Sequence, residues 1–542
     1  MTRPFKKSEI ILRRVELAAG LVLTLLLVYL HLSFMHSAGP LWRDEIHTFR
    51  LATMPSLSAM LGAMSLDSFP ALSTLAIRLW AGAGLADTDA GLRVFGFLVG
   101  SSIIGVIWLN ARLTGRSVPL ISLLLFGFSA LTIRFGDSIR PYGLGILFIM
   151  LTLALVWKVV EAPDFRRTAA AATAAVLSVQ CLFTNAFLLF AICLGGITVS
   201  LYNRAWKKAA LLLGIGMLAA LSLLPYLGII RKSSEWVVLV QYANTFDLSW
   251  EVLFRSALGS AGRLFSWVWL GLFLAGIIFT VYHVFRKTKA EQMDKLVFFT
   301  IAMTAGMASY FIAFRVMEVL PSPWYFLPPM AIAAVSLDAI FGNQRSLAVI
   351  RIAVAAVIVA VFFSTVLHKV QARQTNIDLI AEKLEGLASK DDLILVSPWY
   401  FGITFQRHYK GEAPWMTIPL MEDLETTRYD ILKKKMASPD PLRPVFDGIE
   451  GTLARGGDLW LIGEFFNFYS MLEGKVPVPL PPAPGGPYGW KSTPYVMNWS
   501  LQTEYLILSS EKKPRRLLLK WDKPINPDEF GSVILVKGTE RD

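Results

Sequence analysis

Residues 17–36 read LAAGLVLTLLLVYLHLSFMH, and residues 37–49 continue as SAGPLWRDEIHTF. The first stretch has the length and apolarity of a helix that crosses a bilayer, which takes about 20 residues. It is too long for the apolar region of a cleaved signal peptide, and no small-residue cleavage context follows it. The second stretch sets two adjacent carboxylates, Asp44 and Glu45, directly after the span. Of the 542 residues, 54% are hydrophobic and 17% charged, with mean hydropathy +0.52. A soluble domain is about 45–50% apolar and about 25% charged. This composition excludes a disordered chain and argues against a purely soluble enzyme. The two cysteines, Cys181 and Cys193, lie in apolar runs and offer neither a disulfide framework nor a thiolate cluster.

Ten further apolar runs cover 91–111, 117–133, 139–157, 168–183, 186–203, 209–230, 264–285, 296–315, 324–341 and 352–368. The connections alternate in charge. Loops 1–15, 112–116, 158–167, 204–208, 286–295 and 342–351 hold 19 Lys/Arg in 55 residues; the other set holds 9 in 104. The positive-inside rule places the basic set, with the N-terminal segment, in the cytoplasm. Eleven spans then leave the C-terminal part outside. Residues 69–85 are read as an interfacial helix rather than a twelfth span, because a twelfth would turn the basic loops outward. The net charge of +12 therefore marks cytoplasmic loops and not a nucleic-acid surface.

From residue 372 the chain turns polar. Helices over 378–388 and 445–455 precede short apolar runs at 393–397 and 458–463, a helix–strand repetition that suggests an α/β layer. Residues 476–488 read as an extended proline-rich loop, and 501–508, 515–521 and 532–537 as terminal strands. The expected fold is a mainly α polytopic membrane protein with about eleven transmembrane helices and a C-terminal extracytoplasmic α/β domain. Its divisions are 1–371, with a catalytic first outer loop 37–90, and 372–542.

The polar residues of the expected outer face carry the chemistry. Asp44 and Glu45 are either a solvated pair or catalytic carboxylates, and together with His47 they form the candidate set for a divalent cation. The loop Arg134-Phe-Gly-Asp137-Ser-Ile-Arg140 precedes Pro141-Tyr142. Its Asp137 and Arg140 either pair with each other or leave Arg140 for an anionic headgroup, which a planar guanidinium suits. Arg231, Lys232, Arg263 and Arg315 oppose the charge trend of that face. Binding of a phosphate explains them, and snorkelling is the alternative for the last two. No glycine-rich nucleotide loop is present.

In this order, these residues resemble the membrane-integral C-type glycosyltransferases, in the bacterial branch similar to protein mannosyltransferases and to lipid A aminoarabinose or galacturonic acid transferases. Asp44-Glu45 matches the acidic pair of the first outer loop. Asp67-Ser68-Phe69-Pro70 matches part of an Asp…Pro-Pro stretch, Gly91-Leu92-Arg93 a Gly…Ala-Leu-Arg element, and Asp137-Ser138-Ile139-Arg140-Pro141-Tyr142 an acidic-x-x-Arg-Pro-Tyr element. The family's Thr-His becomes Thr184-Asn185, and its Arg-Tyr-Leu-x-Pro becomes Trp324-Tyr325-Phe326-Leu327-Pro328, so a histidine and an arginine are missing. The resemblance covers about residues 10–370.

It implies a transferase that takes a sugar from a polyprenyl phosphate and passes it to a lipid, glycan or protein acceptor, in the bacterial cytoplasmic membrane. A carboxylate takes the acceptor proton while arginines stabilise the leaving phosphate. Asp44 is assigned as base, Glu45 as second choice, and Asp137 as positioning the acceptor. Arg140 is the first phosphate ligand, followed by Arg231, Lys232, Arg263 and Arg315. His47, Asp67, Tyr142 and Tyr325 complete the substrate contacts. Apart from the divalent cation no cofactor is implied. The partners are the lipid-linked sugar, its acceptor and membrane lipids, with no nucleic acid. A lipid-linked oligosaccharide polymerase or ligase, or a non-enzymatic flippase or transporter, is the alternative.

Overall fold

The computed structural model describes residues 7–115, 117–239, 245–286, 289–342, 344–465, 490–510, 514–517, 519 and 521–538. The proline-rich stretch 476–488 lies outside them. The chain divides into two compact units. One comprises residues 1–37, 69–227 and 243–371; the other comprises 38–68, 228–242 and 372–542.

The first unit is helical. Among the described residues of the chain, nine helices are long and apolar enough to cross a membrane: Ile10–Ser37, Asp89–Thr114, Tyr142–Glu161, Asn185–Tyr202, Trp206–Trp236, Arg263–Phe285, Ala290–Met317, Pro323–Phe341 and Ala348–Val370. The chain is a multi-pass membrane protein. Two of the eleven expected spans differ from that picture. Run 168–183 falls on the helix Phe165–Cys181, whose 17 residues lie at the lower end of what a span needs. Run 117–133 is not one regular helix. It breaks into Leu120–Ser122, a π-turn Leu123–Gly127 and a separate helix Ala130–Gly136. Irregular backbone survives at membrane depth only where protein satisfies its polar groups. Here Asp338 does so: its carboxylate accepts from the N–H groups of Ile121 (3.1 Å) and Ser122 (2.8 Å) and from the Ser122 hydroxyl. The interfacial segment forms the helix Leu72–Gly82, whose 11 residues reach about 16 Å at 1.5 Å per residue, half of what a span needs.

A buried ion pair secures the basic ends of these helices. Arg351 Nε donates to Glu16 Oε1 at 3.0 Å, and its Nη1 donates to the carbonyls of Phe341 (2.8 Å) and Gln344 (3.0 Å). One guanidinium thus adds a second donor to carbonyls at the end of the helix Leu327–Phe341 and in the turn after it.

The second unit contains a five-stranded sheet. Its strands are β1 (Leu393–Ser397), β2 (Trp415–Thr417), β3 (Leu459–Gly463), β4 (Pro514–Leu517) and β5 (Ser532–Val536), in the order β2-β1-β3-β5-β4. β1 pairs in parallel with β2 and β3, while β5 runs antiparallel to β3 and β4. β1 and β3 are buried along their whole length, as their unbroken apolar runs require. Asp392 ties their starts together by accepting from the N–H groups of Ser389 (2.8 Å) and Asp458 (2.9 Å) and from the Trp460 indole (3.2 Å). Burial pushes its carboxyl up, but these donors outweigh burial and hold it below the usual range. The helices Ile377–Leu387 and Arg443–Ala454 fall where expected. Residues 501–508 do not form the expected strand. They belong to the helix Ser492–Ser509, whose Tyr495, Trp499, Thr503 and Ile507 are buried at four-residue spacing.

Candidate functional site

In the first unit the polar centre is built on the segment 130–142. Ser129 caps the helix Ala130–Gly136 by accepting the Thr132 N–H at 3.3 Å, and Pro141 opens the helix Tyr142–Glu161. The turn between them lies against the helix Asp89–Thr114, where only glycine fits. A Cβ on Gly96 would overlap the Asp137 carbonyl, and one on Gly100 would overlap the Asp137 carboxylate. In that space Asp137 Oδ1 meets His31 Nδ1 at 2.6 Å, both side chains being buried. Burial pushes the Asp137 carboxyl up to about 6, against the pull of His31 and Arg93. Asp137 therefore pairs with His31, where the sequence offered Arg140.

Arg140 is half-buried, its guanidinium 4.7 Å from the Phe69 ring. Arg134 lies 5.3 Å from Phe135. The rings continue from there. Phe135 stacks on Trp324 at 4.7 Å, and Phe69 and Phe135 meet Tyr142 edge-on at 5.5 and 5.8 Å. Tyr142 faces Tyr325 at 6.4 Å. Two guanidinium groups beside an aromatic cluster suit an anion attached to an apolar or sugar body. Arg263 and Arg315 are exposed, at the first residue of one helix and in the last turn of another. The last turn is where helix carbonyls favour a cation, so Arg315 has a local reason for its place.

In the second unit the acidic pair lies on the helix Arg43–Ala52. Gly39, at φ +72°, leads into it, and the Arg373 guanidinium lies 2.8 Å from where its Cβ would be. Arg43 anchors the helix. Its backbone N–H donates to Glu529 Oε2 (3.1 Å), and its guanidinium donates to the Asp528 carbonyl (2.7 Å) and Glu529 Oε2 (3.4 Å). The rings of Tyr400 and Trp42 flank it at 4.7 and 5.0 Å. Glu529 is fully buried, and its other oxygen accepts from Thr375 (3.3 Å) and Thr404. Burial pushes its carboxyl up to about 7, against the pull of Arg43 and Thr404.

Neighbouring positions on a helix diverge by about 100°. Accordingly Glu45 is 0% exposed while the Asp44 side chain is 39% exposed. His47 is buried, and its Nδ1 accepts the Thr427 N–H at 3.0 Å. That bond requires an unprotonated Nδ1, so the ring proton sits on Nε2, 3.9 Å from Asp67 Oδ1. Asp67 is buried and accepts the Ser68 N–H at 2.9 Å. Asp44, Glu45 and His47 do not converge on one point. Among the described residues no group of three or more His, Cys, Asp or Glu could hold a metal ion. Arg231 and Lys232 are exposed on the helix Leu227–Val237.

The structure brings together His47 with Asp67 and Tyr142 with Tyr325. It also brings in residues that sequence reasoning passed over. Arg43 and Arg134 lay inside the quoted motifs, and their proximity to the carboxylates was the available signal. His31 sat in an apolar run and Glu529 in a polar tail, where spacing carries no signal.

No protein-family model matches the sequence, and no curated protein sequence matches it. Solved structures do. ArnT from Cupriavidus metallidurans, bound to undecaprenyl phosphate, aligns at a TM-score of 0.50 with 12% identity, over 97% of this chain and 98% of that one. The Archaeoglobus fulgidus oligosaccharyltransferase, in complex with Zn and sulfate, aligns at 0.41 with 13% identity, over 73% and 62%. At 97% of this chain, the first alignment spans both units. The chain has the fold of a membrane C-type glycosyltransferase.

Proposed function

We propose that this chain is a glycosyltransferase that moves a single sugar from a polyprenyl-phosphate donor to an acceptor hydroxyl or phosphate. It does so at the outer face of the bacterial cytoplasmic membrane, with the basic loops inside and the sheet domain outside. The observation that carries this reading is the half-buried Arg140, with Arg134, beside the aromatic cluster of Phe69, Phe135, Tyr142, Trp324 and Tyr325. A similarly folded protein that holds undecaprenyl phosphate supports a lipid-linked donor.

The acceptor oxygen attacks the anomeric carbon, the bond from that carbon to the donor phosphate breaks, and its electron pair leaves on the phosphate. Arg140 stabilises the charge that accumulates there, and Arg134 adds to the same field. The leaving group is a stable anion and needs no protonated acid, unlike the two-carboxyl arrangement of glycosidases. Asp44 takes the acceptor proton. Its exposure supports this role over Glu45, which lies in the protein interior. Asp137 holds the arginine-bearing turn through His31 and in that way serves the acceptor and donor sites together. Arg231, Lys232, Arg263 and Arg315 are secondary phosphate contacts, and His47 with Asp67 keeps the Asp44 helix in place.

Purified protein in liposomes, supplied with polyprenyl-phosphate sugars and a membrane extract as acceptor, tests the reading. Transfer of one sugar is expected, reduced about 10²–10⁴-fold by Asp44→Asn. Wild-type transfer by a folded Asp44→Asn protein would remove Asp44 from the mechanism.

A further inference from the structure

At the basic end of the first unit, a cavity of about 640 Å³ opens between four membrane-crossing helices. Arg112, Lys158, Lys289 and Lys295 line it, with Glu161 and Glu291. Glu161 is already engaged: the Trp157 indole donates to its Oε1 at 2.8 Å, and the Lys158 ammonium pairs with Oε2. Glu161 also attracts Lys295, and four cations against two carboxylates leave a local excess of positive charge.

Arg112 and Lys158 sit near helix C-termini, where cations are ordinary. Lys289 and Lys295 have no such reason. Lys289 is the N-cap of the helix Ala290–Met317, and Lys295 lies in its second turn. The positive end of that helix repels Lys289, which sits at its first turn. Lys295 is half-buried, so it pays part of its hydration as well. Like charges gathered at the positive end of a helix are stabilised by an anion. The place fits as well, because the cavity is lined by the ends of membrane-crossing helices.

We propose that this cavity binds the phosphate group of an anionic lipid headgroup, apart from any donor site. A phosphodiester from the surrounding bilayer and a free phosphate compound share this chemistry; basic pockets between spans at the cytoplasmic face characteristically take the former.

The test uses full-length protein in phosphatidylcholine nanodiscs titrated with phosphatidylglycerol, with bound lipid counted by native mass spectrometry. Arg112→Gln/Lys295→Gln is expected to weaken phosphatidylglycerol binding about 30-fold, the size anticipated for two cations at an anionic surface. Arg166→Gln/Lys207→Gln, which alters exposed cations of the same loops outside the cavity, is expected to leave binding unchanged. Inorganic phosphate at millimolar concentration should not compete. Competition by inorganic phosphate that depends on Arg112 and Lys295 would keep the anion site and overturn the lipid source. No loss in the first pair, or equal loss in both pairs, would overturn the site. Should the first pair not fold, Arg112→Gln and Lys289→Gln, each at an exposed position, carry the same comparison singly.

Discussion

Asp44 and Glu45 are adjacent, yet one is reachable and the other is sealed in. Helix geometry alone produces that split, and the split orders their roles. Arg140 poses a second question at the same scale, because its guanidinium lies over the Phe69 ring at 4.7 Å. A lysine keeps the charge but loses the planar fork and the stacking surface. Arg140→Lys is therefore expected to lower transfer by about 10-fold or more, since bonds to charged groups contribute about 1.5–3 kcal/mol. Equal activity in Arg140→Lys would mean that only the charge matters. His47 was a candidate substrate or metal contact. Its Nδ1 accepts the Thr427 N–H, a bond that also holds the helix.

Elements carry the residues only as well as their joints allow. The turn bearing Asp137 and Arg140 fits the helix Asp89–Thr114 because Gly96 and Gly100 lack side chains. On helix propensity alone, Gly100→Ala would stabilise by about 1 kcal/mol. The overlap with Asp137 works the other way, and overpacking typically costs about 1–3 kcal/mol. A net fall in the thermal midpoint in detergent is expected, together with reduced transfer.

The Arg43–Ala52 helix has its own joint in Glu529. Its carboxyl is raised in the folded protein to about 7 from an ordinary 4.5, so between those values the folded state holds a proton that the unfolded state has released. Stability from this group is present below about pH 4.5 and is lost as pH rises through about 7. The thermal midpoint of wild type should fall relative to that of Glu529→Gln over that window and then level off. A constant difference would contradict this account of the joint.

Over the whole molecule, the membrane-crossing helices were legible because long apolar runs are a physical requirement written locally in the chain. The parallel β1 and β3 were legible for the same reason. The break in run 117–133 was not, since its backbone is satisfied by Asp338, more than 200 residues later. Residues 501–508 misled because a short apolar run does not declare its period until its burial is known. The motif residues Asp44, Asp137 and Arg140 were visible. The contacts that hold their elements, Arg43 with Glu529 and His31 with Asp137, join residues 486 and 106 positions apart. No local pattern encodes such pairs.

The central claim is transfer from a lipid-linked sugar, and one measurement bears on it most directly. Lipid-linked sugars and envelope glycans are compared by mass spectrometry in a strain lacking the protein, complemented with wild type or with Asp44→Asn. Deletion is expected to cause accumulation of one polyprenyl-phosphate sugar and loss of one glycan modification, both reversed by wild type and not by Asp44→Asn. An unchanged glycan and lipid profile on deletion would contradict it.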